Sequence, residues 1–215
     1  AFVAAVVLLA VTEVVDHIGR GKVFANAQTG NIVLMSQAAF DGDLARVLHY
    51  LVPLLSFALG VAVAEAIHIR YREAKRLHWR QLVLVVEILL LFGVGFLPNT
   101  LDLAANALVS FACAMQVQAF RKVHGYPFAS TMCIGNMRSG MESLVVYFHL
   151  HDKKVLHKAL HYFGVILLFA FGAGVGAHCV GVFGNKTIWF SCALLVVILC
   201  FMFIQDEEED LKEKA

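Results

Sequence analysis

Two short stretches gather the polar side chains of an otherwise apolar chain: "FANAQTGN", Phe24 to Asn31, and "FASTMCIGN", Phe128 to Asn136. Asn26, Gln28, Thr29, Asn31, Ser130, Thr131 and Asn136 donate and accept hydrogen bonds, and Arg138 adds a cation just beyond the second stretch. Gly30 and Gly135 let backbone come close to backbone or to a ligand. Such groups recognise a small polar molecule; they do not break bonds. No Ser/His/Asp, HExxH or paired-carboxylate constellation is present, so an enzyme is not expected and no cofactor is named. His157 and His161 stand one helical turn apart, as a metal pair would, but wet histidines at a cytoplasmic surface are the commoner case and no metal site is expected. Nothing points to nucleic acid.

The elements that must position these residues follow from composition. Of 215 residues 60% are hydrophobic and 15% charged. That is too apolar for a soluble domain, whose apolar share is about 45–50%. The lipid bilayer is therefore a partner of the chain. A helix needs about 20 apolar residues to cross the hydrocarbon layer. Six runs qualify, near Phe2–Ile18, Arg46–Ile67, Leu82–Leu97, Leu101–Phe120, Ala159–Phe183 and Ile188–Ile204. The first is not a signal peptide, because Glu13 and Asp16 stand where a cleavage site needs small residues. The numbering begins at alanine, so a few leading residues are expected ahead of it.

Charge placement orients the spans. "RYREAKRLHWR", Arg70 to Arg80, carries five basic side chains and marks its loop as cytoplasmic, whereas "PNTLD" has none. The net charge of +1 discriminates no partner. Cys113, Cys133, Cys179, Cys192 and Cys200 lie unpaired in apolar stretches and read as inert thiols. "DEEED" and the rest of residues 205–215 read as a solvated cytoplasmic tail.

An internal repeat organises the whole. "LHYLVPLLSFALGVAVAEA" from Leu48 and "LHYFGVILLFAFGAGVGAH" from Leu160 share Leu-His-Tyr, Phe-Ala, Gly and Val at equal spacing, each with a polar signature upstream. This predicts two halves, residues 1–98 and 101–204, each with three spans and a short motif at 24–40 or 128–149. If the short motif crosses the bilayer the halves run parallel; if it dips in and returns they are inverted. The dipping arrangement keeps Arg70–Arg80, Arg121–Lys158 and both termini inside, leaving Arg20, Lys22, Arg46 and Lys186 outside, and positive-inside bias favours it. The expected fold is thus an all-α membrane protein, an inverted repeat of three transmembrane helices plus one re-entrant half-helix each, in the cytoplasmic (inner) membrane.

Inversion would bring the two half-helix N-termini together near the midplane, as in many secondary transporters. The backbone donors at Thr29–Asn31 and Ile134–Met137 would face a polar or anionic group. Arg138 in the first turn of a helix needs a negative partner: a substrate anion, Glu142 one turn on, or Glu13, Asp16, Glu65 or Glu87 from other helices. Ionisable groups within spans default to functional hypotheses, so Glu13, Asp16 and Glu142 are candidate ion or proton partners, and Glu65 and Glu87 are proton sites or members of internal salt bridges. The Gly172, Gly174, Gly176 stripe reads first as helix packing and second as a subunit interface. The small size of the chain suggests a homodimer.

"FANAQTGNIVLM" with "TMCIGNMRSGMESL" resembles the YoaK-like family of six-span bacterial and fungal membrane proteins, a family of unknown function. The similarity runs from "TEVVDHIG" to the last helix, and Ile134 departs from it where members commonly carry Thr before Gly-Asn. The resemblance implies a size and a membrane location but no substrate. Residue chemistry points to secondary transport or facilitated passage of a small polar, anionic solute. The rival reading is a non-transporting scaffold or sensor whose polar turns only lock the repeats together.

Overall fold

The computed structural model describes residues 2–71, 78–120, 122–123, 126–127 and 133–213, and is helical apart from turns and one two-rung β pair. The first half holds α1 (Phe2–Gly19), α2 (Gln28–Phe40), α3 (Leu44–Tyr71) and α4 (Trp79–Val94). The second holds α5 (Asp102–Ala119), the strands β1 (Lys122–Val123) and β2 (Tyr126–Pro127), then α6 (Cys133–Leu150), α7 (Lys153–Phe183) and α8 (Ile188–Glu213). A 3-10 turn, Asn99–Leu101, separates α4 from α5.

All six predicted spans are helices. Leu44–Tyr71, Asn99–Ala119 and Lys153–Ile204 are long and apolar enough to cross a membrane, the last being α7 and α8 joined by a 3-10 turn at Gly184–Thr187. Helix ends follow local chemistry. His78 and Gln81 close a capping box at the start of α4, and Asp152 accepts the Lys154 N–H at 2.8 Å at the start of α7. The α2–α3 hairpin turns at Gly42, whose φ of +74° is open to glycine at no steric cost.

Helix packing repeats between the halves. α3 packs on α5 as α7 packs on α1; α2 packs on α3 as α6 packs on α7; α4 packs on α5 as α8 packs on α1. Corresponding helices run antiparallel where they meet. Thr12 of α1 touches Cys113 of α5, while Arg20, two turns further along α1, bonds Asp102, three turns earlier in α5. Trp189 at the start of α8 lies against Phe92 and Phe96 at the end of α4. This order is compatible with the inverted arrangement expected from the sequence.

Small residues set the close approaches. A Cβ on Gly172 would lie 2.9 Å from the Val7 carbonyl oxygen, and one on Gly176 would lie 3.1 Å from Val11 Cα, so these glycines seat α7 on α1 within one chain. Gly60 is pressed in the same way on Phe111 and Ala114 of α5. The stripe is therefore used for packing inside the chain.

The short motifs differ in length. α2 has 13 residues, about 20 Å, but α6 has 18, about 27 Å. Eighteen positions separate Gly30 from Leu48 and twenty-five separate Gly135 from Leu160. The additional seven lengthen the α6–α7 hairpin, so the second short motif is a longer helix than the half-helix predicted at 128–149.

Candidate functional site

After α1 ends at Gly19 the chain doubles back along it. Asn26 donates its backbone N–H to Glu13 at 2.6 Å and its side-chain amide to the Leu9 carbonyl at 3.3 Å, which brings the start of α2 level with the middle of α1. α2 then climbs to the end it came from. There, His49 of α3 lies 2.9 Å from the Gly21 carbonyl.

The polar signature explains how this loop holds. Asn31, fully buried, accepts the Phe24 N–H at 2.9 Å and donates to the Phe24 carbonyl at 2.7 Å, imitating the pairing of two backbone strands. Its amide also meets Gln28 Oε1 at 2.9 Å, and Gln28 donates to the Ala25 carbonyl at 2.8 Å. Gly30 has to be glycine because a Cβ there would sit 2.7 Å from the Phe24 ring. That ring stacks on His17 with centroids 4.4 Å apart. Ala27 offers no side-chain cap to α2. Glu13 takes the capping role from another helix, bonding Asn26 N and, at 3.4 Å, Ala27 N, where a negative group also suits the helix dipole.

Beside this loop lies a cavity of about 580 Å³ between α1, α2 and α3. Thr29 and Gly30 of the predicted set line it with His17, Lys22, Arg46 and Tyr50, and no carboxylate shares the lining. A second cavity, about 320 Å³, lies between α6 and α7 and is lined by Ser139, Glu142, Ser143, Lys158 and Tyr162. The repeat relates the two: Arg46 and Tyr50 flank one Leu-His segment, and Lys158 and Tyr162 flank the other. They open at opposite ends of the bundle. The first adjoins the C-terminal end of α1, whereas Tyr162 packs on Val6 at the N-terminal end.

Other predicted residues are placed as follows. Asn136 is as buried as Asn31, being 2% exposed. Arg138 bonds Glu142 at 2.9 Å on the outer face of α6, with side chains 80% and 60% exposed, so the structure pairs it with the carboxylate one turn on and turns it away from the α2 loop. Gly135 lies on an exposed turn of α6. Ser130 and Thr131 lie outside the described residues. α2 and α6 do not form a packed pair among the described residues, each leaning on its own hairpin partner. Glu65 accepts from Gln118 and lies 3.5 Å from His68, which is internal pairing, one of the two alternatives the sequence left open for it.

Asp16 and Glu87 are fully buried, and with them Gln116, which occupies the place in the fourth span comparable to Glu13 and Asp16 in the first, and further polar groups. Arg20, fully buried, donates to Asp102 at 3.0 Å and to the carbonyls of Val94 and Leu97, and its own carbonyl accepts from Asn106 at 2.8 Å. It ties α1 to α4 and α5. Asn106, Ser110, Cys113 and Gln116, at helical spacing, form a buried stripe on α5. That spacing was the available signal.

Apolar helices, a doubled-back loop at mid-height and paired grooves define a multi-pass α-helical membrane protein. Residues 3–201 match the family described as protein of unknown function DUF1275, and the chain belongs to that family. It is similar to the UPF0700 transmembrane protein YoaK of Bacillus subtilis (strain 168), 26% identical over 198 residues that cover 88% of this chain and 87% of that protein. No solved structure matches.

Proposed function

We propose that this membrane protein is a secondary transporter or facilitator for a small polar, anionic solute. The observation that carries the reading is the pair of repeat-related grooves opening at opposite ends of the bundle, one of them lined by Lys22, Arg46 and His17 without a carboxylate. Thr29 and Gly30, in the first turn of α2, form its inner wall. In this reading the 24–40 segment is a re-entrant motif, the halves are inverted repeats, and each groove is the vestibule of one side of the membrane. Lys153, Lys154 and Lys158 at the α6–α7 tip support an orientation in which that end, with both termini, faces the cytoplasm across the inner membrane.

The test is thermal stabilisation of the purified chain across a panel of small anions and uncharged metabolites, since a ligand of the native state raises stability by mass action. Stabilisation by an anion, lost in the Lys22→Ala/Arg46→Ala double variant, is the expected result. A panel without effect, or an effect indifferent to both substitutions, defeats the reading.

The scaffold or sensor reading has its own observation. Asn26, Gln28 and Asn31 are all engaged with the loop's own backbone or with one another, so these side chains lock the fold. On that reading the grooves bind nothing and the same panel is silent.

A further inference from the structure

We propose that Asp16 and Glu87 form an exchangeable proton site in the four-helix core of α1, α4, α5 and α8, apart from both grooves. The Thr12 Oγ1 to Cys113 Sγ contact at 3.5 Å fixes which face of α5 meets α1. Asp16 stands one turn beyond Thr12 on α1, and Ser110 and Gln116 stand one turn to either side of Cys113 on that same face of α5. Glu87 lies one turn from both Leu84 and Leu91 on α4, which pack in one buried cluster with Cys113 of α5 and Cys192 of α8. Asp16, Glu87 and Gln116 are each 0% exposed, and none of their side-chain oxygens, nor the Gln116 amide nitrogen, has a hydrogen-bond partner.

The balance of charge is one-sided. Glu13, Asp16 and Glu87 bring three carboxyls into the core, and Glu13 alone is bonded to backbone amides. Arg20, one turn from Asp16, gives its Nη atoms to Asp102 and two carbonyls. From α3, Glu65 and His68 face one another beside Trp79, at the far end of α4 from Val94. A buried carboxylate without donors costs several kcal/mol, whereas a carboxyl carrying a proton is neutral and can donate to a neighbour such as Gln116 or Ser110. Among the described residues no three His, Cys, Asp or Glu side chains converge as a metal set would. The step is the making and breaking of one O–H bond: the carboxyl releases a proton to solvent and keeps the electron pair as carboxylate.

Infrared spectroscopy of the purified full chain in heavy water, titrated over pH, reads the site directly. The expected result is a protonated-carboxyl carbonyl band that declines as pH rises, is reduced in Glu87→Gln and in Asp16→Asn, and is lost in the double variant. Glutamine and asparagine match the neutral acids in shape, so both variants should keep the native melting behaviour. A band absent from the unmodified chain, indifferent to pH, or untouched by either substitution overturns the proposal. Should the variants not fold, carbodiimide labelling of the unmodified chain mapped by mass spectrometry decides: label on Glu87 or Asp16 that fades with rising pH supports the site, and label on neither refutes it. The band reports protons whether or not any solute moves, so its loss would leave the groove reading standing.

Discussion

The two grooves occupy the same place in the repeat and differ in charge. Lys22 and Arg46, the latter 3.9 Å from Asp41, line the first, while the second sets Lys158 beside Glu142, which pairs with Arg138. Position 138 shows the same divergence. The alignment of Gly30 with Gly135 and Asn31 with Asn136 sets Arg138 opposite Val33, which is 61% exposed on the rim of the first groove. The repeat thus keeps a buried asparagine in each short helix, Asn31 and Asn136, and lets the chemistry around it drift. An anion entering the first groove meets Lys22 and Arg46 with no carboxylate in the lining, and one entering the second meets Lys158 with Glu142 in the lining.

The sharpest way to break this comparison is at the clasp that Asn31 makes on Phe24. Asn31→Ala removes three hydrogen bonds and leaves the Phe24 N–H and carbonyl unmet, a loss of about 3 kcal/mol or more visible as a lowered melting midpoint in detergent. Asn136→Ala should cost a similar amount if the second half is clasped alike, and a cost well below half of that would show that burial without the clasp suffices there. Glu13→Gln keeps the shape but weakens a charge-assisted pair of bonds to Asn26 and Ala27, a loss of about 2 kcal/mol by the same measurement.

Smaller effects distinguish the grooves. Removing Arg46 should weaken anion affinity at least tenfold, about 1.4 kcal/mol, whereas Lys158→Ala, beside Glu142, should change it less than threefold. Equal effects from both would erase the asymmetry. The smallest change is expected from Arg138→Ala, below about 1 kcal/mol in stability, because its pair with Glu142 is solvent-exposed.

The architecture was legible because its determinants are local: apolar runs long enough to cross a membrane, and a Leu-His-Tyr repeat with a Gly-Asn signature ahead of each copy. The site was legible only as a list of residue types. Asn26, Gln28 and Asn31 announce hydrogen bonds, yet nothing in their spacing says that the partners are Leu9, Ala25 and Phe24 rather than a ligand. Arg138 announced a negative partner, and Glu142 one turn on is the one it has, but which face of its helix the pair occupies depends on what packs alongside. Arg20 looked like a loop charge at the end of a span, since its partner Asp102 lies 82 positions away. Glu13 could be placed on α1 but not on the amides of a loop that had yet to fold back.

That last contact has a further consequence. By laying its own carboxylate on the amides ahead of α2, the chain carries a tethered competitor for any anion drawn to that helix end. Binding there would be an exchange of one negative group for another, so the occupant would be chosen by how well it outbids a side chain held in place by covalent attachment, and its arrival would free α1 from the loop.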